Sequence, residues 1–137
     1  FLKFLEHGYD PLIVKQIAPI CFGWLSARLS SGGAIAALGC TDLGWNGVCD
    51  EDDDGICDVA QYFDGWLHLR YFYVYNQSVD ILGQILGESI TDYLQRFPIN
   101  WDSWFETQSQ YQSPYDCAVV QYNILLGDPS LKIGGYP

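Results

Sequence analysis

The chain has 137 residues, of which 49% are hydrophobic and 16% aromatic, so it is long enough and apolar enough to bury a core as one domain. Seventeen acidic residues outweigh six lysines and arginines, and the net charge of −11 argues against nucleic acid or an anionic membrane as a partner. No apolar run approaches the roughly 20 residues that a membrane span requires, so no span is predicted.

The first residues do not resemble an ordinary protein start. Phe1 is not an initiator, the chain contains no methionine, and no signal-peptide pattern is present. We therefore predict that the chain is a processed or truncated piece of a longer protein. Apolar residues then keep helical spacing over residues 13–29, and Pro19 divides this stretch into two predicted helical pieces.

Residues 34–40 form an unbroken run of small apolar residues beside glycines. Such a run is typical of a strand that is buried on both faces of a parallel sheet. Residues 41–45 would then leave the carboxyl end of the strand, which is the edge where open α/β sheets carry their ligand sites. Asp42 lies in this segment and could reach either a pocket there or the acidic residues that follow.

The acidic loop, defined here as residues 49–58, holds six of the seventeen acidic residues of the chain and no basic residue. Asp50, Asp52 and Asp54 alternate and Gly55 follows them, which is the D-x-D-x-D-G order of a calcium loop. Glycine permits the sharp turn of such a loop, and the carboxylates would repel one another without a cation. A solvated acidic loop without a metal is the alternative interpretation.

The predicted ligand set adds the backbone carbonyl of Ile56 and a side-chain oxygen of Asp58. Oxygen ligands of this kind suit calcium better than zinc, which prefers histidine and cysteine. The loop is not an EF-hand, because Gln61 stands at the twelfth position where a glutamate is expected. It resembles the short calcium loops of thrombospondin type 3 repeats. We therefore predict a Ca²⁺ site formed by Asp50, Asp52, Asp54, Ile56 and Asp58.

Five cysteines and a glycosylation sequon at residues 76–78 indicate an oxidising compartment, so the protein is predicted to be extracellular or on the cell surface. Cys49 and Cys57 bracket the acidic run and are predicted to close it as a short disulfide loop. Cys40 and Cys117 are the second predicted pair.

The remaining pattern predicts two long helices and two strands within one α/β unit covering residues 1–137. Apolar residues keep helical spacing over residues 59–75 and 78–97, and a short helix is predicted for residues 101–107. The apolar run at residues 118–126 predicts a second buried strand, and residues 131–133 a short final strand.

Two blocks of sequence resemble a known family. One is Gly-Gly-Ala-Ile-Ala-Ala-Leu-Gly-Cys-Thr at residues 32–41, running on to Trp45, and the other is Tyr-Asn-Ile-Leu-Leu-Gly-Asp-Pro-Ser-Leu at residues 122–131. Over roughly residues 18–133 the chain is similar to the later part of the gingipain family of cysteine peptidases. The resemblance implies a caspase-like three-layer α/β/α fold with a mostly parallel sheet, of which this chain would be the C-terminal part.

A His–Cys dyad performs the chemistry in that family: the thiolate attacks the scissile carbonyl and the histidine manages the proton. The resemblance places the nucleophile just before Phe1, so the dyad is expected on an upstream segment of the same precursor and no catalytic residue is assigned here. His7 and Cys21 form the alternative dyad. Only fourteen positions separate them, too few for two strand ends and a parallel crossover.

The resemblance also implies that Trp45, with Thr41 beside it, walls the pocket for the substrate side chain that precedes the scissile bond. The predicted function is therefore part of a secreted, calcium-stabilised cysteine endopeptidase that acts on peptide or protein substrates. The alternative is a non-catalytic calcium-binding surface or adhesion module with the same fold.

Overall fold

The computed structural model of the chain describes residues 22–40, 44–102 and 114–135. Within these ranges the chain forms helices and strands in a mixed order. In chain order they are α1 (Phe22–Arg28), β1 (Ala37–Cys40), α2 (Asp58–Gln61), α3 (Phe63–Asn76), α4 (Leu82–Arg96), α5 (Pro114–Tyr122) and β2 (Asn123–Leu126). None of the described helices is both long enough and apolar enough to cross a lipid bilayer.

The strands β1 and β2 pair antiparallel, with Ala37 opposite Leu126 and Cys40 opposite Asn123. The described residues thus combine helices with strands, which agrees with the predicted α/β class. The mostly parallel sheet expected for a caspase-like fold is not seen in the described ranges, where the one sheet is this antiparallel pair.

The prediction of a nine-residue strand at residues 118–126 is wrong in its first half. Residues 118–122 belong to α5, and the strand covers only Asn123–Leu126. A short apolar run does not distinguish a buried helix from a buried strand, and here Val119 is buried in the core as part of a helix. The predicted strand at residues 34–40 is likewise shorter and begins at Ala37.

The other boundaries also shift. Tyr62 is extended, with φ −133° and ψ 159°, so the helix predicted for residues 59–75 is divided into α2 and α3. The final strand predicted at residues 131–133 is reduced to a single bridge between Lys132 and Ile81. The helix predicted at residues 101–107 begins as a turn and otherwise lies outside the described residues, as do residues 13–21.

The core lies where α3, α4 and α5 meet. Its buried side chains are Leu67, Tyr71, Val74, Ile85, Tyr93 and Val119. Each fully buried aliphatic residue contributes roughly 1.5–3 kcal/mol. At the edge of this core Arg70 binds Asp92 of α4 and stacks on the ring of Tyr73, with 3.9 Å from the guanidinium carbon to the ring centre. The Arg70–Asp92 ion pair joins α3 to α4, whereas the contact between Arg70 and Tyr73 lies within α3.

Among the described residues, Ser89 has a buried side-chain oxygen without a hydrogen-bond partner. Its hydroxyl is fully buried in α4 and has no hydrogen-bond partner among them. Ser89→Ala is expected to raise the free energy of unfolding by about 1 kcal/mol, because it removes an unsatisfied buried hydroxyl and introduces the best helix former. Ser130→Ala is the control: it removes a hydroxyl bonded to Asp128 at 2.7 Å, and a denaturant titration should show a loss of stability. A destabilised Ser89→Ala variant would contradict this view of the core.

Candidate functional site

The acidic loop brings three carboxylates together. One oxygen each of Asp50, Asp52 and Asp54 lies within 4.8 Å of the other two, with Asp50 half-buried and the others exposed. The three aspartates of the D-x-D-x-D-G pattern therefore have their carboxylates close together in space. Desolvation in the loop, with the negative charge of Asp54, raises the pKa of Asp52.

The loop is folded around these carboxylates by its own backbone amides. The oxygens Oδ1 and Oδ2 of Asp50 accept hydrogen bonds from the amides of Asp54 at 3.0 Å and Gly55 at 2.9 Å. Oδ1 of Asp54 accepts the amide of Ile56 at 2.8 Å. Gly55 has φ +84°, a left-handed conformation that glycine adopts without strain, so the turn uses the glycine in the predicted way.

Asp58 and Ile56 take different places from the other three predicted ligands. Asp58 is buried and lies outside the three-carboxylate group; its Oδ2 accepts the amide of Glu51 at 3.1 Å. The carbonyl of Ile56 accepts a hydrogen bond from Nε2 of Gln61 at 3.3 Å, and the same nitrogen donates to Oδ2 of Asp54 at 3.0 Å. Gln61 therefore touches two of the predicted ligand oxygens.

The ends of the acidic loop are not joined by the predicted disulfide, because Cys49 and Cys57 are both exposed thiols. They are held instead by the amide of Asp58, which donates to the carbonyl of Cys49 at 2.7 Å. The second predicted pair is not formed either: Cys117 is a thiol buried in α5, and burial raises its pKa. The two disulfide predictions are therefore wrong for this structure.

The segment before the acidic loop is bound to the first turn of α3. The amide of Trp45 donates to Oδ2 of Asp64 at 2.6 Å, and the amide of Asp64 donates to the carbonyl of Trp45 at 3.0 Å. Residue 64 thus binds both polar backbone groups of residue 45. The Trp45 ring rests against Tyr115 of α5 at 4.2 Å between ring centres and is 37% exposed. Thr41, Asp42, His7 and Cys21 lie outside the described residues.

Asn123 completes a buried polar network around Asp64. Its side-chain Nδ2 donates to Oδ1 of Asp64 at 2.7 Å and to the carbonyl of Val119 at 2.8 Å. Because these two acceptors fix the amide orientation, Oδ1 of Asn123 is the acceptor for the Tyr71 hydroxyl at 3.2 Å and for Nε2 of His68 at 3.3 Å. In this arrangement Nε2 of His68 is the donor of its hydrogen bond to Asn123. Burial and the charge of Asp64 raise the pKa of Tyr71, which keeps its proton as a donor.

Sequence reasoning missed Asp64, Asn123 and the role of Gln61. Asn123 carried a signal, since it is a polar residue within the apolar run at residues 118–126. A buried amide in such a run must have partners, because an unsatisfied buried polar group is costly. The partner Asp64, however, is 59 positions away, and no pattern in the sequence connects the two.

Comparison with known protein families, with curated proteins and with solved structures found no match to this chain.

Proposed function

We propose that the chain is the calcium-binding, C-terminal part of a secreted, gingipain-like cysteine endopeptidase. In this proposal the acidic loop binds one Ca²⁺, and Trp45 and Thr41 form part of the substrate pocket. The proposal is supported by the way in which residues 45–54 are bound to residues 58–64 at two points. Trp45 is bound by Asp64, and Glu51 by Asp58.

The donor set fits calcium. Asp50, Asp52 and Asp54 offer carboxylate oxygens, and Ile56 offers a backbone carbonyl. Ca²⁺ takes six to eight such oxygens at about 2.3–2.6 Å, with water supplying those that the protein does not. Rotation of the Gln61 side-chain amide would place Oε1 where Nε2 now donates, which adds one more oxygen. Asp58 acts in this arrangement by holding the amide of Glu51.

The calcium would supply positive charge where the loop concentrates negative charge. Asp53 in the middle of the loop has a positive φ of 56°, and this strained turn sits among like charges that oppose it. Neutralisation by a cation removes the repulsion and holds the loop closed. The calcium-bound loop would therefore stabilise the position of Trp45. The peptidase reaction is assigned to the His–Cys dyad of the upstream segment.

An upstream segment of the same precursor is the proposed partner. The surface of α3 supports this, because the helix is apolar on several sides and Leu69, Phe72 and Tyr73 are all exposed, Phe72 to 71%. A helix that is apolar all round is typical of one covered by other parts of a protein. The upstream segment would carry the His–Cys dyad and the parallel strands of a caspase-like α/β/α domain, alongside the antiparallel pair seen here.

The peptidase proposal is tested with the complete precursor secreted from an oxidising compartment. Supernatant protein is expected to cleave a quenched-fluorescence peptide library, and iodoacetamide should abolish the cleavage by alkylating the thiolate. An inert secreted protein that still binds calcium would overturn the peptidase proposal and leave the non-catalytic calcium-binding module in its place.

Gln61→Glu is expected to tighten calcium binding by about tenfold. The carboxylate places one or two charged oxygens where the amide touches Asp54 and Ile56, and added ligand charge raises the affinity of such loops. Isothermal titration of calcium into the metal-free chain measures the change. Gln84→Glu adds the same charge at an exposed position in α4 and should leave the affinity within twofold. Equal effects from the two variants would show that Gln61 does not reach the ion.

A further inference from the structure

We infer that Asp64 is a positioning residue that holds Trp45 where it contacts substrate, an inference that rests on the proposed function. Trp45 comes from a segment without helix or strand structure, so its direction must be fixed by contacts with other elements. Two contacts do this. The backbone is bound by Asp64 from α3, and one side of the ring is covered by Tyr115 from α5.

Both carboxylate oxygens of Asp64 accept hydrogen bonds. The residue is 2% exposed; Oδ2 accepts the amide of Trp45 and Oδ1 accepts the side-chain amide of Asn123. The described residues contain no basic partner for it, since their ion pairs are Arg70–Asp92 and Lys132–Asp80. A buried carboxylate without a cation is stabilised by its hydrogen-bond donors and by the amino-terminal end of the helix in which it lies. Its position is therefore set by Trp45 and Asn123 together.

Gly44 allows this approach. A Cβ at residue 44 would lie 3.0 Å from Oδ2 of Asp64, closer than ordinary van der Waals contact, so a side chain there would push the carboxylate away from the Trp45 amide. The hydrogen bond between Asp64 and the Trp45 amide can therefore be disturbed in two independent ways. Asp64→Asn changes the acceptor, and Gly44→Ala changes the space while the charge stays the same.

Amide hydrogen exchange on the isolated chain measures the positioning without any substrate. Asp64 accepts hydrogen bonds from the Trp45 amide and from Nδ2 of Asn123. In Asp64→Asn one of the two carboxylate oxygens becomes an NH₂ group, which is a donor, so one of these hydrogen bonds must be lost. We expect exchange of the Trp45 amide to accelerate at least about tenfold relative to the Leu67 amide of the core in the same protein. Gly44→Ala should accelerate it by a smaller factor, and Glu88→Gln, an exposed acid-to-amide change in α4, should not alter it.

The complete precursor then measures the consequence for substrate. With the library peptide that the wild-type protein cleaves best, Asp64→Asn should raise KM about tenfold with kcat little changed, because Trp45 contributes binding that is equal in the ground and transition states. The inference is overturned if the Trp45 and Leu67 amides accelerate equally in both variants, or if KM is unchanged. A precursor that cleaves no peptide overturns the proposed function and the substrate role of Trp45, while the exchange data alone still decide whether Asp64 positions the segment.

Discussion

Adding calcium to the metal-free chain is expected to raise its midpoint of thermal unfolding by roughly 10 °C when free calcium is a hundred times the dissociation constant. Binding to the native state alone stabilises by roughly 2.7 kcal/mol at that ratio, and each kcal/mol shifts the midpoint of a domain of this size by about 3–4 °C. The effect requires the carboxylate cluster of Asp50, Asp52 and Asp54 to close around the ion. Differential scanning calorimetry with calcium and with a chelator measures it.

Two variants in the acidic loop distinguish calcium coordination from a general reduction of repulsion between the carboxylates. Asp52→Asn removes a predicted ligand and should abolish the calcium response, whereas Asp53→Asn removes the same charge from a residue outside the cluster and should keep it. Asparagine also tolerates the positive φ of residue 53. An unchanged midpoint on chelation, or an equal loss in both variants, would show that the loop is only a solvated acidic turn.

The raised pKa of Asp52 gives this prediction a pH dependence. A carboxyl whose folded pKa lies above its unfolded value stabilises the fold at low pH and loses that contribution as the pH rises through the folded pKa. Acid should therefore relieve repulsion in the metal-free loop, while it weakens calcium binding by protonating a ligand. The calcium-dependent rise in the midpoint should be largest near neutral pH and should shrink below about pH 5.

Asn123→Ala is expected to destabilise the chain by about 3–5 kcal/mol. The substitution removes the amide that donates to Asp64 and to the carbonyl of Val119, and it removes the acceptor of the Tyr71 hydroxyl. It leaves a buried carboxylate with one donor fewer, which is among the costliest changes a core can undergo. Urea titration followed by circular dichroism measures the loss. Asn76→Ala, at the exposed end of α3, should change stability by no more than about 0.5 kcal/mol.

The nature of the network is tested by Asn123→Asp, which keeps the size of the side chain and turns a donor into an acceptor. In this variant two carboxylates face each other where Nδ2 of Asn123 now lies 2.7 Å from Oδ1 of Asp64. Because like charges this close repel, one of the two carboxyl groups has a raised pKa. This variant should be strongly destabilised at neutral pH and partly recover at acidic pH, where a shared proton restores the hydrogen bond. Equal destabilisation at both pH values would contradict the proposed hydrogen-bonding pattern.

The acidic loop shows what local pattern can predict. Asp50, Asp52, Asp54 and Gly55 lie close together in the sequence, and so do their partners. The carboxylates, the amides that bind Asp50 and the glycine at the turn all come from residues 50–55. The β1 strand was predicted in part, because glycines bound the short apolar run at residues 34–40, which is too short for a typical helix.

Residues whose roles depend on distant partners were not predictable in the same way. The run at residues 118–126 contains a helix and a strand, and the change of structure at Asn123 follows from its bonds to Asp64, His68 and Tyr71 on α3. Tyr62 likewise divides the predicted helix at residues 59–75, so that α3 begins beside the carbonyl of Trp45. Each of these features is decided by tertiary contacts that override local preference.

Anomalous X-ray scattering from crystals of the chain grown with calcium would reveal a calcium ion in the acidic loop. We expect one anomalous peak at about 2.3–2.6 Å from carboxylate oxygens of Asp50, Asp52 and Asp54, with the Ile56 carbonyl among the ligands. The peak should be absent from crystals of Asp52→Asn grown in the same way. Ordered carboxylates without a peak at saturating calcium would show that the acidic loop does not bind calcium.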